Sequence, residues 1–177
     1  MGCCFSTSST TDTLSSASSS KCEVDLAHVQ MEDAVPFAHQ FAGKSFTCRI
    51  VDVYDGDTCT VVFQPEHNGS PVKITIRMLG IDTAEMTDKE HKSQALDARN
   101  MLLYHATGCE VTREMSRKEC REVCAKSNKC TIMTCDKLDK YGRLLATIKS
   151  VITADKTINQ ILLEKKLAKP YFGGKKE

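Results

Sequence analysis

The amino-acid sequence predicts an α+β fold, a small closed barrel of five strands with two to three helices. Three β-rich segments separated by turn residues open the folded region, and a helical segment follows the third of them. Two more β-rich segments and a last helical segment complete the pattern. Five strands with a helix after the third indicate a small barrel, and 177 residues suit one domain with extensions.

The first three strands are predicted to form an antiparallel meander. Residues 46–53 and 57–63 are rich in β-branched side chains and flank an Asp-Gly turn pair, which predicts a hairpin. The polar loop 66–71 contains an Asn-Gly pair, which is a second turn signal. Residues 72–79 then supply the third strand.

A long helix is predicted after the third strand. Thr87 or Asp88 is placed to cap its start, and the helix is expected to reach about Tyr104, before a Thr-Gly pair ends it. Its apolar positions keep a helical repeat: Ala95, Ala98, Met101 and Leu102.

The second half of the chain completes the predicted barrel. Strands four and five are expected at 131–134 and 144–151, and a last helix is expected at 158–167, followed by an extended tail. A charged, cysteine-rich insertion at 109–130 separates the first helix from strand four. Its basic residues are expected either to form a solvated face or to act as a basic flap over a nucleic-acid groove; they are Arg113, Arg117, Lys118 and Arg121.

The charge balance excludes one class of partner-binding protein. Lys and Arg number 24 against 23 Asp and Glu, for a net charge of +1, whereas chromatin-type binders are strongly basic. Any contact with nucleic acid is therefore expected to involve one part of the surface rather than the charge of the whole domain. No secretory signal peptide or apolar run long enough to span a bilayer is present in the sequence.

The N-terminus predicts a lipid anchor. Gly2 and Ser6 match the N-myristoylation pattern, and Cys3 and Cys4 are placed as palmitoylation acceptors. Since two lipid signals hold a protein stably on a membrane, we expect attachment to the cytoplasmic face of a membrane. A chance match at a floppy N-terminus is the alternative.

These features divide the chain into four parts. Residues 1–21 are predicted to be an acylated, Ser/Thr-rich disordered tether, since they cannot bury a core. Residues 22–44 form an N-terminal extension, 45–172 the folded domain, and 173–177 a C-terminal tail. The sequence implies no protein partner, and a monomer is expected.

Ten cysteines in a chain without a signal peptide indicate a reducing compartment and thiols rather than disulfides. Five of them lie in or near the insertion, and zinc binding and free thiols are both open for them, although the two-residue spacing of common zinc knuckles is missing. These five are Cys109, Cys120, Cys124, Cys130 and Cys135.

Charged residues of complementary kinds cluster at the end of the third strand. Arg77 ends the strand, and Asp82 and Glu85 follow within eight residues. Asp57 lies just past the hairpin turn, and Arg143 opens strand five. Carboxylates suit a hard cation, and guanidinium groups suit a phosphate. A metal and a phosphate are therefore expected to share one small site, although turn caps with surface ion pairs would use the same residue types.

These blocks resemble the staphylococcal-nuclease-like (thermonuclease) domains. The matching segments, in the order of the family, are 55–58, 77–85, 139–143 and the end of the late helix at 167–169, and together they span roughly 46–172. The resemblance implies an OB-fold barrel and a Ca²⁺-dependent nuclease that leaves 3′-phosphates on DNA or RNA.

The resemblance also implies individual roles. Asp57, Asp82 and the main-chain carbonyl of Thr83 would bind Ca²⁺, and the catalytic residues would be Arg77, Glu85 and Arg143. Contacts to substrate would come from Lys140, Tyr141 and Tyr171.

Two features depart from the family. Ala84 stands where the family usually has proline, and alanine leaves the backbone beside Glu85 less restricted. The insertion at 109–130 lies where the family usually passes almost directly from the helix to the fourth strand. The competing hypothesis is a catalytically inactive barrel of the same kind that binds nucleic acid or a protein partner. The complete set of charged residues favours the enzyme.

Overall fold

Five of the seven strands close into a barrel in the computed structural model, which describes residues 36–111 and 114–173. The elements in chain order are β1 (Ser45–Val53), β2 (Thr58–Phe63), β3 (Val72–Met78), β4 (Ile81–Thr83), α1 (Lys92–Thr107), α2 (Arg117–Lys126), β5 (Thr131–Leu138), β6 (Leu144–Ile148), α3 (Ile158–Glu164) and β7 (Ala168–Pro170). A short 3₁₀ helix at Phe37–His39 precedes them.

The strand order confirms the predicted meander and barrel. β1, β2 and β3 are antiparallel neighbours, β5 pairs with β1, and β6 closes the barrel by pairing antiparallel with β5 and parallel with β3. The predicted boundaries of the later strands differ from the structure. β5 continues to Leu138, and β6 ends at Ile148 because the chain then turns through Ser150, whose hydroxyl accepts hydrogen bonds from two later N–H groups.

Side chains alternate between the barrel interior and its outer surface, as expected for strands with one buried face. Val61 of β2 and Ile76 of β3 are fully buried. Their neighbours Thr60 and Thr75 lie opposite each other on the outer surface. The same alternation places Arg77 on the outer face of β3, where neighbouring groups cover most of its side chain.

Helix α1 begins later than predicted. It starts at Lys92, not after Thr87 or Asp88. The carboxylate of Asp88 instead accepts a hydrogen bond of 2.9 Å from the N–H of Glu90, which forms a local turn before the helix. The predicted end is confirmed, because Gly108 adopts a left-handed φ of 78° that stops the helix.

The insertion contains a helix, α2, that the sequence analysis did not predict. Its start has a capping box, in which the Ser116 hydroxyl accepts from the N–H of Glu119 and the Glu119 carboxylate accepts from the N–H of Ser116. Cys120 and Cys124 point into the core from this helix and are fully buried. The helix therefore packs on the barrel as an additional layer.

The geometry of the cysteines does not support a zinc site. Burial raises the pKa of the Cys124 thiol to about 12, whereas Cys109 and Cys130 are exposed. Within 36–111 and 114–173, no group of three or more His, Cys, Asp or Glu is arranged to hold a metal ion. The buried thiols act as small apolar core residues.

Strands β4 and β7 form a separate two-stranded sheet that was not predicted. β7 lies in the segment expected to be an extended tail, and the last helix ends at Glu164, earlier than the expected 167. Asp82 is the register partner of Lys169 in this sheet, and Thr83 that of Ala168. The sheet therefore ties the carboxylate segment to the last element of the domain.

None of the helices within the described ranges is long and apolar enough to cross a membrane. The predicted acylation residues Gly2, Cys3 and Cys4 lie outside the described residues.

Candidate functional site

The Asp57 carboxylate is held by a network of hydrogen bonds at the end of the β1–β2 hairpin. Its Oδ2 atom accepts from the Thr83 N–H at 2.7 Å and from the Thr83 hydroxyl at 3.0 Å. Its Oδ1 atom accepts from the Thr58 hydroxyl at 3.1 Å. With only 4 % of its surface exposed, Asp57 has a fixed position relative to β4.

The Arg77 guanidinium lies between two carboxylates. Its Nη1 atom contacts Asp57 Oδ1, and its Nη2 atom donates to Asp82 Oδ1 at 2.5 Å. The Arg77 side chain is 11 % exposed and that of Asp82 is 23 % exposed. These are not surface ion pairs, and the two carboxylates converge on a single cationic group.

Gly56 brings helix α1 against this site. A Cβ atom added at Gly56 would lie 2.5 Å from the Ala98 Cβ and 2.9 Å from the Thr83 Cγ2. Real Cβ atoms do not approach others so closely. The hairpin turn therefore requires glycine because of steric contact with α1 and β4.

We expect the substitution Gly56→Ala to lower the free energy of unfolding by about 1–3 kcal/mol, since overpacking forces backbone shifts. The shift would also displace Thr83 from Asp57. Urea denaturation measures the loss. Gly69→Ala is the control, because its added Cβ meets Glu66 Cβ at 3.1 Å in an exposed loop, and an equal loss in both variants would contradict the prediction.

Asp55 is a buried carboxylate of the site that the sequence analysis treated only as a turn residue. Its Oδ1 atom accepts from the N–H of Asp57 at 3.1 Å. Burial raises the pKa of Asp55, the charge of Arg77 opposes that rise, and the charge of Glu85 adds to it. The Asp-Gly-Asp triplet predicts a turn, but it does not distinguish a turn residue from a buried site residue.

Arg143 is held by a second carboxylate beside the site. Asp139 Oδ2 accepts from Arg143 Nε at 2.7 Å, and Asp139 Oδ1 accepts from the N–H groups of Tyr141 and Arg143, both at 2.9 Å. Burial would raise the pKa of Asp139, but these hydrogen bonds outweigh it and hold the pKa below its usual value.

The two arginines lie on the same outer surface of the barrel. In the parallel β3–β6 pair, Arg77 is opposite Leu145, and Arg143 lies two residues before Leu145, in the turn just outside β6. Two residues of extended chain span about 7 Å. Arg143 ion-pairs with Asp139, whereas Arg77 bridges Asp57 and Asp82.

Aromatic and cationic side chains surround Arg143. Tyr141 is 71 % exposed, and the Lys140 Nζ and the Arg143 guanidinium lie 5.0 and 5.4 Å from its ring centroid.

The Tyr171 N–H donates to the Gly80 carbonyl at 2.9 Å, which anchors the chain after β7 beside β4.

Glu85 lies at a cavity of about 240 Å³ that opens beside Asp82. Glu85 is exposed, so it is accessible to water. The other lining residues are Asp82, Thr83, Ala84, Asp88, His91, Gln94, Leu167, Ala168 and Lys169. The structure thus brings Glu85 to the same end of β4 as the two convergent carboxylates.

Comparison with known families gives a match to the later part of the chain. A family model described as staphylococcal nuclease homologue matches residues 75–177, which is more than half of the chain. The match covers all the charged residues described above except Asp55 and Asp57, which lie upstream of it. A search of curated proteins finds no match.

Proposed function

Because the chain belongs to the staphylococcal nuclease homologue family, we propose that it is a Ca²⁺-dependent phosphodiesterase that hydrolyses DNA or RNA to products with 3′-phosphates. Family membership supports a nuclease-type or nucleic-acid-binding function. The observation that carries the finer proposal is the convergence of Asp57 and Asp82 on one cationic group, Arg77. Single strands and loosely paired regions are the expected substrates.

The donor set fits Ca²⁺. Asp57 and Asp82 would hold the ion, with the Thr83 main-chain carbonyl as a neutral ligand, and water would complete a shell of roughly six to eight oxygens. The Asp57 Oδ2 atom accepts two hydrogen bonds from Thr83, whereas Oδ1 accepts one from Thr58 and contacts Arg77, so Asp57 would offer Oδ1 once Arg77 has moved away. When bound, the ion would supply positive charge to a phosphate oxygen and to water.

Arg77 and Arg143 would bind the phosphate. Arg77 now contacts the carboxylates that the ion requires, so it would turn from them towards the substrate when the ion binds. The Asp139 contact engages Arg143 through Nε, and the two terminal amino groups would donate to phosphate oxygens. Guanidinium groups suit the planar, bidentate recognition of phosphate and would stabilise the additional negative charge of the transition state.

Glu85 would accept the proton of the attacking water. It is exposed at the cavity beside Asp82, and the attacking water would lie between its carboxylate and the phosphate. A positioned carboxylate of this kind acts as a general base, directly or through another water.

The nucleotides on either side of the phosphate would contact the aromatic side chains. Tyr141 presents an exposed ring with two cationic neighbours, Lys140 and Arg143, and bases stack on such platforms with little dependence on sequence. Tyr171 lies beside β4 and would contact the terminal phosphate or a base.

Calcium dependence tests the proposal directly. The full chain is expected to cleave a fluorescent single-stranded oligonucleotide with Ca²⁺ and to lose that activity when a chelator removes the ion. Activity that is unchanged in chelator would contradict the calcium site, and analysis of the product ends distinguishes 3′-phosphates from 5′-phosphates.

A second candidate, a non-catalytic barrel that binds nucleic acid, is favoured by one observation. Arg77 already forms ion pairs with both Asp57 and Asp82, so each carboxylate has a cationic partner without a metal ion. Binding of oligonucleotide without cleavage, with no Ca²⁺-dependent shift in the unfolding midpoint, would favour this function over the enzyme.

Membrane attachment through Gly2, Cys3 and Cys4 is part of the proposal, with the domain as a monomer at the cytoplasmic face. The sequence pattern supports it. Mass spectrometry of the natural N-terminus would detect the acyl groups.

A further inference from the structure

The outer surface of strand β3 carries a groove that joins the site to helix α2. Two cavities, of about 680 and 530 Å³, share the lining residues Lys73, Ile74 and Thr75. Tyr141, Gly142 and Arg143 line the first cavity, and Val51, Asp52, Thr60, Arg117 and Arg121 line the second. Because three residues are common to both, the two cavities adjoin each other along β3, and together they are called here the β3 groove.

Two arginines of α2 share one carboxylate in the β3 groove. Asp52 Oδ2 accepts from Arg117 Nε at 3.1 Å and from Arg117 Nη2 at 2.8 Å, and it also accepts from Arg121 Nε at 2.9 Å. Burial would raise the pKa of Asp52, but the hydrogen bonds from both arginines outweigh it and lower the pKa. The ionised carboxylate balances only one guanidinium, so the pair retains one positive charge.

These arginines combine a fixed position with access to solvent. The side chains of Arg117 and Arg121 are 47 % and 53 % exposed, whereas that of Asp52 is 9 % exposed. The Arg117 guanidinium also lies 4.8 Å from the Tyr54 ring centroid. Anchored guanidinium groups lose less conformational entropy when they bind an anion than mobile ones do.

Lys73 connects the two charged ends of the β3 groove. It is exposed on the strand between Arg143 and the α2 arginines. The hydroxyl-bearing residues Thr60 and Thr75 lie opposite each other beside it. Asp52 is the one carboxylate among the residues that line these two cavities. The groove therefore presents a line of cations to a polyanion.

We propose that the β3 groove binds the sugar-phosphate backbone of a single-stranded nucleic acid, with Lys73, Arg117 and Arg121 contacting phosphates beyond the one held at Arg77 and Arg143. The position of the cleaved phosphate rests on the proposed function. The role of α2 as a strand-binding element rests on the groove alone.

Docking of α2 does not account for both arginines. Cys120 and Cys124 already bury one face of the helix in the core, and a single arginine would satisfy Asp52. The second arginine adds a positive charge that Asp52 does not balance, and an anionic ligand along the groove would account for this charge and for that of Lys73.

Binding by an inactive form of the full chain tests this proposal. In a Glu85→Gln background, a labelled single strand of roughly ten nucleotides, within the usual site size of a barrel of this kind, is titrated at several salt concentrations. Arg121→Ala and Lys73→Ala are each expected to raise Kd roughly three- to tenfold and to lower the salt dependence of log K by about 0.7.

The matched control is Lys118→Ala, which removes one charge from the same helix at an exposed position outside the groove. Its Kd is expected to change less than twofold. Arg121→Ala leaves Arg117 on Asp52, and an unfolding midpoint close to that of the parent confirms that α2 stays docked.

Each outcome has a distinct meaning. Equal effects in Lys118→Ala and Arg121→Ala, or no effect in either groove variant, would overturn the groove proposal even if the parent protein cleaves DNA. Loss of binding in the groove variants of a protein without nuclease activity would support the groove and reject the enzyme. Weakened binding to phosphatidylserine vesicles with unchanged oligonucleotide binding would assign the groove to lipid headgroups and overturn the proposal.

Discussion

Replacing Glu85 with glutamine is expected to lower kcat by about 10²–10⁴-fold, because the amide cannot accept the proton of the attacking water. Glu85 is exposed at the mouth of the cavity beside Asp82, so the change should leave the folded state intact. Steady-state cleavage of an oligonucleotide at saturating Ca²⁺ measures kcat, and circular dichroism and thermal unfolding verify the fold.

Glu90→Gln is the matched control for this variant. Glu90 is an exposed carboxylate five residues further along the chain, and its neutralisation makes the same change in net charge. Its kcat should remain within about twofold of the parent value, a difference of roughly 0.4 kcal/mol in activation free energy. Similar losses in both variants would mean that the charge of the region matters rather than a proton acceptor at Glu85.

Replacing Arg77 with glutamine is expected to have two separable effects. The kcat/KM should fall by about 10²–10³-fold, since a donor to the phosphate is lost. Without Ca²⁺, the free energy of unfolding should fall by about 3–5 kcal/mol, because the largely buried Asp57 loses its cationic partner. Urea denaturation in chelator measures the second effect.

Calcium should then stabilise the Arg77→Gln variant more than the parent. In the parent, Arg77 competes with the ion for Asp57 and Asp82, whereas in the variant this competitor is absent and binding of the ion to the native state adds stability. The Ca²⁺-dependent rise in the unfolding midpoint compares the two. A smaller rise in the variant would show that Arg77 does not occupy the position of the ion.

Arg143→Gln separates the two roles of the arginines. Arg143 is 31 % exposed and pairs with Asp139 rather than with the convergent carboxylates. Its loss should lower kcat/KM but leave the calcium dependence of stability close to that of the parent. A calcium response like that of Arg77→Gln would contradict the assignment of Arg77 as the bridge between Asp57 and Asp82.

Local sequence signals predicted the elements that depend on interactions between residues close together in the chain. The Asp-Gly pair and alternating side chains of 46–63 predicted the first hairpin, and Gly108 predicted the end of α1. The start of α1 was wrong, because the Asp88 side chain formed a turn with Glu90 instead of capping a helix. Helix α2 was missed although Ser116 and Glu119 carry a capping-box pattern, since the surrounding charges were interpreted as a solvated face.

The same local signals did not predict pairings between distant segments of the chain. Strands β4 and β7 are three residues each and form only because they meet each other. The partnership of Asp52 with Arg117 spans 65 residues, and nothing near either residue specifies the other. Asp55 was overlooked because a turn residue and a buried site residue are identical in sequence and differ only in what packs over them.

By itself, the sequence predicted the five-stranded barrel, the family and the candidate set of charged residues from Asp57 to Arg143. Hydrophobic periodicity, turn-forming residues and the order of the motifs can all be recognised in the linear sequence. Only the tertiary structure decided that Arg77 bridges Asp57 and Asp82, that Arg143 is held apart by Asp139, and that α2 lies along the β3 groove. Ion pairs and grooves depend on which side chains face each other across the barrel surface, and that arrangement exists only when the strands have paired.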